Sequence, residues 1–257
     1  MSNISVKEGN IFTSECQTLV NTVNCDGVMG RGIALEFRLR RPEMFVQYAE
    51  HCKAKRLDIG KLWIYKPPPS EPDKRWTLNF PTKRHWKYPS KKEYLESGLQ
   101  KFVATYREHH IESIAFPTLG TANGGLSEDE VIPLMKSLLE KCDIPVEIYL
   151  YKPGAGDDLY LEFCKRVLSE KNEEKMAKAM GLRIDRLRKI RNSVQSDLEI
   201  QSLSQLAKVQ GIGLKSLEKC FHFTMRGFSN AGTGVQESRQ SRVTDDSFAV
   251  SQQTFEF

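Results

Sequence analysis

Short apolar runs alternate with longer amphipathic runs from the start of the chain to about residue 168. Six short runs are rich in apolar or β-branched residues and are bounded by turn formers, so they predict strands over 4–8, 18–23, 61–65, 76–80, 113–116 and 146–150. The longer runs predict helices over 34–55, 91–109, 128–141 and 158–168. Ser127, which precedes three acidic residues, is a typical helix start. This alternation indicates an α/β fold with ligand loops at one edge of its sheet.

The pattern changes after residue 168, where strand signals end and the sequence becomes helical and basic. Ala177-Lys178-x-x-Gly181-Leu182 is repeated 30 residues later as Ala207-Lys208-x-x-Gly211-Ile212. A small residue followed by a turn glycine and a later leucine is typical of a helix-turn-helix. The repeat therefore predicts either DNA-binding units or two ordinary helical hairpins that pack on each other.

Composition fits a globular protein with one sizeable domain and a smaller one. The chain has 257 residues, of which 39% are hydrophobic and 28% are charged. From residue 229 the sequence is rich in Ser, Gln, Thr and Gly, which predicts a disordered tail. We therefore divide the chain into an α/β domain (1–168), an all-α region (169–228) and a tail (229–257). The formal charge of +5 is compatible with a polyanionic partner but does not require one.

The cysteines and the first residues of the chain indicate the cellular compartment in which we expect the protein. The six cysteines are scattered, and no Cys/His spacing suggests zinc, so we expect no metal, no cofactor and a reduced, cytoplasmic setting. The first residues do not resemble a signal peptide, and no apolar run is long enough to span a bilayer. We therefore expect no membrane partner.

The most informative stretch is Asn21-Thr-Val-Asn-Cys-Asp-Gly-Val-Met-Gly-Arg-Gly-Ile-Ala34, which joins a predicted strand to a predicted helix. Glycines at 27, 30 and 32 permit positive φ and a close approach of backbone N–H groups to a ligand. The start of the helix adds partial positive charge. Because the loop has neither the G-x-G-x-x-G spacing nor a Walker A ending, it predicts a phosphate or sugar site of another kind.

A second glycine-rich loop, Pro117-Thr-Leu-Gly-Thr-Ala-Asn-Gly-Gly-Leu126, also lies between a predicted strand and a predicted helix. Either loop alone is compatible with a plain tight turn. Together, two such loops at one sheet edge favour a ligand with a diphosphate that is gripped from both sides.

Between the two loops, Asn79-Phe-Pro-Thr-Lys-Arg-His-Trp86 continues beyond a predicted strand. Lys83 is either a solvated loop lysine or, if it is desolvated, a nucleophile or acid/base group with a lowered pKa. Arg84, His85 and Trp86 mix aromatic rings with cations, as single-strand nucleic-acid platforms do, although a partly buried aromatic pair under a loop fits as well.

On these motifs, residues 1 to about 155 resemble a macrodomain, the ADP-ribose-binding module, and in particular the DNA ADP-ribosyl glycohydrolase antitoxins of the DarG type. The resemblance rests on Asn21-Thr-Val-Asn24, Gly27-Val-Met-Gly-Arg-Gly32, the 79–86 segment and the 117–126 loop. It implies a three-layer α/β/α fold with a mixed central sheet.

The resemblance also implies roles for individual residues. Asn10 stands where macrodomains usually carry an adenine-binding aspartate, Asn24 would contact the distal ribose, and Lys83 matches the lysine to which the family assigns catalysis. The second loop lacks the aspartate of related lysine-dependent hydrolases, which leaves the proton donor open. The implied ADP-ribose-binding residues are Asn10, Ile11, Asn21, Gly27, Val28, Met29, Gly30, Gly32, Ile33, Thr82, Pro117, Leu119, Gly120, Thr121, Ala122, Asn123, Gly124 and Gly125.

The implied function is removal of ADP-ribose from bases, thymidine by resemblance, in ADP-ribosylated single-stranded DNA, with ADP-ribose as product and a DarT-type toxin as partner. Three alternatives stay open. The chain is a non-catalytic ADP-ribose reader, a DNA-binding regulator that uses residues 170–228 on operator DNA, or a hydrolase that acts on ADP-ribosylated protein. The region after the macrodomain would bind toxin, operator DNA or both.

Overall fold

A computed structural model describes residues 3–152, 154–196 and 200–231, with side chains as far as residue 226. The predicted tail therefore lies outside the described residues, except for its first three positions. Within these limits, no helix combines the length and the apolar character needed to cross a membrane.

Six strands form one sheet in the order β1-β6-β5-β2-β4-β3. All neighbouring pairs are parallel except β3, which runs antiparallel to β4 at the edge. The sheet is thus mixed, and each predicted strand is confirmed. The strands are β1 (Ile4–Gly9), β2 (Thr18–Asn24), β3 (Trp63–Tyr65), β4 (Trp76–Lys83), β5 (Ile114–Pro117) and β6 (Val146–Tyr151).

Two helices, α1 (Gly32–Arg40) and α2 (Pro42–Lys53), occupy the segment for which the sequence analysis predicts one helix over 34–55. That prediction was wrong because it passed over Pro42. Proline disfavours the helical conformation in the residue before it, and Arg41 has ψ of 72°, which ends α1. Pro42 then takes the first position of α2, where its missing N–H costs nothing.

The other predicted helices of the α/β domain agree with the structure to within a few residues. They are α3 (Lys92–Thr105), α4 (Glu128–Leu139) and α5 (Asp158–Ser169). The hydroxyl of Ser127 accepts from the backbone N–H of Asp129 at 3.2 Å, so the predicted cap is confirmed.

The sheet is covered on both faces. Buried side chains of α3 and α4, such as Phe102 and Met135, fill one face, and Phe37 of α1 with Met44 and Tyr48 of α2 fills the other. These two apolar layers explain the three-layer α/β/α fold, since a sheet with two apolar faces needs helices on each.

Both copies of the predicted repeat form helices. The first copy gives α6 (Glu173–Met180) and α7 (Ile184–Ser196), and the second gives a short 3₁₀ helix (Leu203–Lys208) and α8 (Leu214–Ala231). A third apolar cluster joins these elements to α5 and to Leu39 of α1. The predicted small all-α region after the α/β domain is therefore confirmed.

A buried ion-pair network also attaches the helical region to the α/β domain. The guanidinium of Arg40 lies 2.7 Å from Asp158 and 3.4 Å from Asp157. The other oxygen of Asp157 accepts the backbone N–H of Leu203 at 2.7 Å. Breaking such a network would leave buried charges unpaired, so it fixes α1 against the second copy of the repeat.

Candidate functional site

Parallel strands bring the predicted functional residues to one edge of the sheet. Asn24 ends β2, Lys83 ends β4, and the two residues are register partners. Asn10 directly follows β1, and Pro117 ends β5. Because the carboxyl ends of parallel strands share an edge, these four positions lie along one rim, where α/β sheets bind ligands.

The side chain of Asn24 holds the first glycine-rich loop. Its Nδ2 donates to the carbonyl oxygen of Val28 at 2.6 Å, and its Oδ1 accepts from the backbone N–H groups of Asp26 and Val28 at 2.9 and 3.3 Å. The hydroxyl of Tyr48, in α2, lies 2.7 Å from the Asn24 carbonyl oxygen and 3.1 Å from Oδ1. Asn24 therefore shapes the loop and also stands beside Lys83. Sequence reasoning misses Tyr48, because no local pattern links α2 to this loop.

Two glycines of the first loop lie where a side chain would not fit. Gly27 has φ of +80°, and an added Cβ would lie 3.3 Å from the Cα of Ala49 in α2. Gly32 has φ of +58°, and its Cβ would lie 2.7 Å from Nδ2 of Asn123 in the second loop. The two glycine-rich loops are thus in close approach, as a clamp on a diphosphate requires.

The second loop is held largely by its own backbone, with added bonds from the Thr121 hydroxyl to the carbonyl oxygen and hydroxyl of Thr118 at 3.1 and 2.9 Å. An added Cβ on Gly124 would lie 2.1 Å from the carbonyl oxygen of Gly120, which accepts the N–H of Leu126 at 3.1 Å. The carbonyl oxygen of Gly124 accepts the N–H of Ser90 at 2.9 Å. Glycine at 124 is required by this close packing, which leaves no room for a methyl group.

Lys83 joins the two loops. Its backbone pairs with Asn24 of the first loop, and its Nζ donates to the carbonyl oxygen of Asn123 in the second. Burial lowers the pKa of Lys83 from its ordinary value of 10.5, because a partly desolvated ammonium is less stable. A lower pKa increases the fraction of neutral amine, the form that acts as a nucleophile.

The thiol beside Asn24 is a poor competitor for that role. Burial, with a smaller effect from Asp58, raises the pKa of Cys25 to about 12. Cys25 is therefore protonated near neutral pH, where a thiol is a weak nucleophile.

The structure divides the remaining predicted ligand-binding residues into a rim and a floor. The rim residues are exposed or half-buried: Gly27, Val28, Gly30, Gly32, Ile33, Pro117, Thr121, Ala122, Asn123 and Gly125. The floor residues are buried: Asn10, Ile11, Asn21, Met29, Thr82, Leu119, Gly120 and Gly124. Among these, Asn21 donates to Oδ1 of Asn79 on β4 at 2.9 Å within the sheet. The amide of Asn21 therefore joins two strands beneath the rim.

The segment after Lys83 forms an aromatic ridge, composed of His85, Trp86 and Tyr88. The His85 ring lies 6.1 Å from that of Trp86 and 5.1 Å from that of Tyr88, and Trp86 and Tyr88 are 49% and 67% exposed. Asp26 fixes the ridge to the first loop, since its carboxylate accepts the backbone N–H of Trp86 at 2.8 Å. Arg84 extends beside the ridge with its guanidinium 3.8 Å from Asp58.

Comparison with known proteins places this geometry in a family. Residues 20–135 match the family model described as Macro domain. The DNA ADP-ribosyl glycohydrolase of Mycobacterium tuberculosis (strain ATCC 25618 / H37Rv) is 40% identical over 153 residues, which are 60% of this chain and 43% of that protein. The solved macrodomain of Mycobacterium tuberculosis DarG is 40% identical, with a TM-score of 0.54, over 57% of this chain and 97% of that one. Thermosipho africanus DarTG, solved in complex with ADP-ribose, is 43% identical, with a TM-score of 0.56, over 58% of this chain and 42% of that one.

The chain spans about two fifths of the length of its curated relative from Mycobacterium tuberculosis, so the similarity concerns only a part of that protein. That part is the α/β domain with both glycine-rich loops, Asn24 and Lys83. The chain therefore belongs to the macrodomain family, and its α/β domain is of the DarG type.

Proposed function

We propose that this chain hydrolyses the N-glycosidic bond between ADP-ribose and a DNA base, and so reverses DNA ADP-ribosylation. The observation that carries the proposal is the place of Lys83, beside Asn24 and in contact with Asn123 of the second loop. The DNA ADP-ribosyl glycohydrolase of Mycobacterium tuberculosis, similar to this chain over the same domain, supports it.

The two glycine-rich loops bind the ADP-ribose group. In our proposal, residues 27–32 and 120–125 hold the diphosphate from two sides, and the start of α1 at Gly32 adds its partial positive charge. Asn24 orients the distal ribose. Asn10 binds the adenine amine. Its Oδ1 accepts the backbone N–H of Phe12 at 3.1 Å and has a second lone pair, which accepts the amine. The ADP-ribose complex of Thermosipho africanus DarTG supports this ligand.

Lys83 then acts at C1″ of the distal ribose. In the first route, its neutral amine attacks C1″ and displaces the base, which takes the proton that the new ammonium loses; water then attacks C1″ and releases ADP-ribose and the free amine. In the second route, the ammonium acts as a cation or acid near the leaving base. In both routes, much of the acceleration comes from holding the ribose in place. The lowered pKa of Lys83 favours the first route.

The aromatic ridge favours DNA over protein as the modified target. Exposed rings beside cations stack unpaired bases while the cations meet phosphates. Trp86 is half exposed, and Nζ of Lys87 lies 5.2 Å from the centre of its ring. Because the ridge begins two residues after Lys83, a strand stacked on it places a neighbouring base close to the amine.

The test is a Lys83→Ala variant of the full chain, assayed on a single-stranded oligonucleotide that carries ADP-ribose on thymidine. We expect release of ADP-ribose to fall at least about a thousandfold, because the neighbouring thiol of Cys25 is protonated near neutral pH and does not replace the amine. Binding of free ADP-ribose, measured by calorimetry, should change little. Lys92→Ala, an exposed lysine at the start of α3, is the matched control and should keep full activity.

The same assay separates the alternatives. Full activity in Lys83→Ala would remove Lys83 from catalysis, and a wild-type chain that binds ADP-ribose but releases none would be a reader. Faster release from ADP-ribosylated protein than from DNA would move the substrate class to protein.

The comparison with Thermosipho africanus DarTG also suggests a partner protein. We infer that a DarT-type toxin is the partner enzyme that makes the substrate, as the DarTG name of the Thermosipho africanus relative suggests. A cytoplasmic location stays a prediction. Binding of operator DNA by residues 170–228 also stays a prediction, and it would require base-specific contacts.

A further inference from the structure

The two copies of the helical repeat contact each other's turns in the same way. Lys219 of α8 donates to the carbonyl oxygen of Gly181, at the turn of the first copy. Lys189 of α7 donates to the carbonyl oxygen of Gln210, beside Gly211 at the turn of the second copy, at 3.2 Å. Lys189 and Lys219 are 30 residues apart, as are the two turn glycines. The copies are therefore in reciprocal contact, as an approximate two-fold arrangement requires.

Cations crowd around these turns and form what we call the two-turn surface. Its members are exposed, except for the half-buried Arg186: Lys178, Arg183, Arg186, Lys189, Lys208, Lys215 and Lys219. Two of the symmetric positions carry lysine in both copies, since Lys178 corresponds to Lys208 and Lys189 to Lys219. The positive charge thus follows the repeat at these two pairs, whereas Arg183, Arg186 and Lys215 have no cationic counterpart.

Few carboxylates offset this charge. Among the described residues from 176 to 219, the acids are Asp185, 3.1 Å from Arg183, and Glu218, 3.1 Å from Arg38 of α1. Residues 170–228 hold twelve lysines and arginines against seven aspartates and glutamates, an excess equal to the formal charge of +5 of the whole chain. The excess positive charge is therefore concentrated in the helical region.

Most apolar side chains of the repeat are not available to a partner on this surface, and Leu214, 39% exposed, is the exception. Leu187, Ile190, Leu217 and Phe221 are buried in the cluster shared with α5. A surface of exposed lysines without an apolar centre is poorly suited to a stable protein interface, whose core is apolar and depleted in lysine. It is well suited to phosphates, which lysine and arginine neutralise.

The two-fold relation indicates which polyphosphate fits. The two backbones of a DNA duplex run antiparallel and are related by local two-fold axes, so a two-fold protein unit meets both in the same manner. A single strand has no such symmetry and would use one copy of the repeat at a time.

We propose that the two-turn surface binds duplex DNA through its phosphates, without reading sequence, and holds the chain on DNA near its substrates. This binding site is separate from the rim that holds Lys83 and does not depend on the proposed hydrolase activity. The helical region is attached to α1 by the Arg40 network and by Arg38 with Glu218. DNA bound there therefore stays close to the macrodomain.

The experiment uses the full chain, an unmodified 20-base-pair duplex of each of two unrelated sequences, and saturating ADP-ribose to occupy the macrodomain site. Fluorescence anisotropy gives the affinity across a salt series. The variant is Lys178→Gln with Lys208→Gln, two exposed lysines in symmetric positions. The control is Lys136→Gln with Lys141→Gln, two exposed lysines at α4, which covers the opposite face of the sheet from α1.

We expect the wild-type chain to bind both duplexes equally and more tightly than a single strand. The symmetric variant should bind at least about tenfold more weakly on both, and its log–log salt slope should fall by about two, the value for two lost phosphate contacts. The control should match the wild type.

Three results would overturn the proposal: no duplex binding by the wild type, equal weakening in the control, or binding confined to one sequence. Lys215→Glu, in the first turn of α8, repeats the test if the double variant loses its helical circular dichroism. Release of ADP-ribose from modified single strands, measured on the same samples, separates failure of this proposal from failure of the hydrolase assignment.

Discussion

The two glycine-rich loops look alike in sequence but are held by different forces. In the first loop, side chains bear most of the structure, because the amide of Asn24 bonds three backbone groups and the hydroxyl of Tyr48 supports it from α2. In the second loop, the backbone bears most of it, through the contact of Gly124 with Gly120 and the bond from the N–H of Ser90, while Thr121 and Lys83 add side-chain bonds. A glycine-rich motif therefore specifies a close approach, but it does not say what holds the loop in place.

This difference decides which substitutions matter. A loop held by side chains is weakened by removing a hydroxyl or an amide, since a buried partner is left unpaired. A loop held by close backbone packing is weakened by adding atoms, since nothing can move away. Lys83 contacts both loops from the end of β4. In our proposal, its titration has the largest expected effect on the rate of ADP-ribose release.

We expect the rate of ADP-ribose release to rise about tenfold per pH unit until the pH reaches the pKa of Lys83, and then to level off. The reason is that, in our proposal, the neutral amine is the nucleophile, and burial places its pKa below 10.5. Rates on the oligonucleotide substrate across the pH range give the profile. A rate that falls as pH rises through this pKa would show that the ammonium acts instead, and Lys83→Ala should abolish the pH-dependent phase.

Adding one methyl group to the second loop should cost the most stability. In Gly124→Ala, the new Cβ would lie 2.1 Å from a backbone oxygen, so we expect the free energy of unfolding to fall by about 3 kcal/mol or more. Gly30→Ala is the control in the first loop, because its Cβ would be 3.8 Å from the nearest atom. Urea titrations of both variants measure the difference. Equal losses would contradict the close packing described for the second loop.

Removing one hydroxyl should weaken the first loop by less. In Tyr48→Phe, the carbonyl oxygen and Oδ1 of Asn24 each lose a partner, which should cost about 1–2 kcal/mol. Affinity for ADP-ribose should fall with it, because Asn24 orients the ribose in our proposal. Urea titration and calorimetry give the two quantities. Tyr106→Phe is a control for the loss of a tyrosine hydroxyl far from the loops, and its affinity for ADP-ribose should be unchanged.

The fold was more predictable than the supports of the site. The six strands and the Ser127 cap follow from local patterns, and they agree with the structure. The break between α1 and α2 was also readable, since Pro42 restricts Arg41, but the apolar periodicity over 34–55 concealed it. Local signals thus carried almost all of the secondary structure.

The placement of Asn24 beside Lys83 was predictable because both residues end parallel strands. The bonds of Tyr48 to Asn24 and of Asp26 to Trp86 were not, because they join residues 24 and 60 positions apart. Such contacts depend on how helices and loops pack on the sheet, and no local sequence pattern indicates them. The position of the candidate site residues was therefore easier to predict than the contacts that hold them in place.

The smallest expected effect is also the sharpest test of the comparison. Ser90→Ala removes a hydroxyl beside the second loop, just as Tyr48→Phe removes one beside the first. The Ser90 hydroxyl is buried and has no hydrogen-bond partner among the described residues, while its backbone N–H, which alanine retains, donates to Gly124. We therefore expect the free energy of unfolding to stay within about 0.5 kcal/mol of the wild type, since no bond is lost. A loss above about 1 kcal/mol in urea titration would mean that the Ser90 hydroxyl, as well as its backbone N–H, holds the second loop, and the contrast with the first loop would weaken.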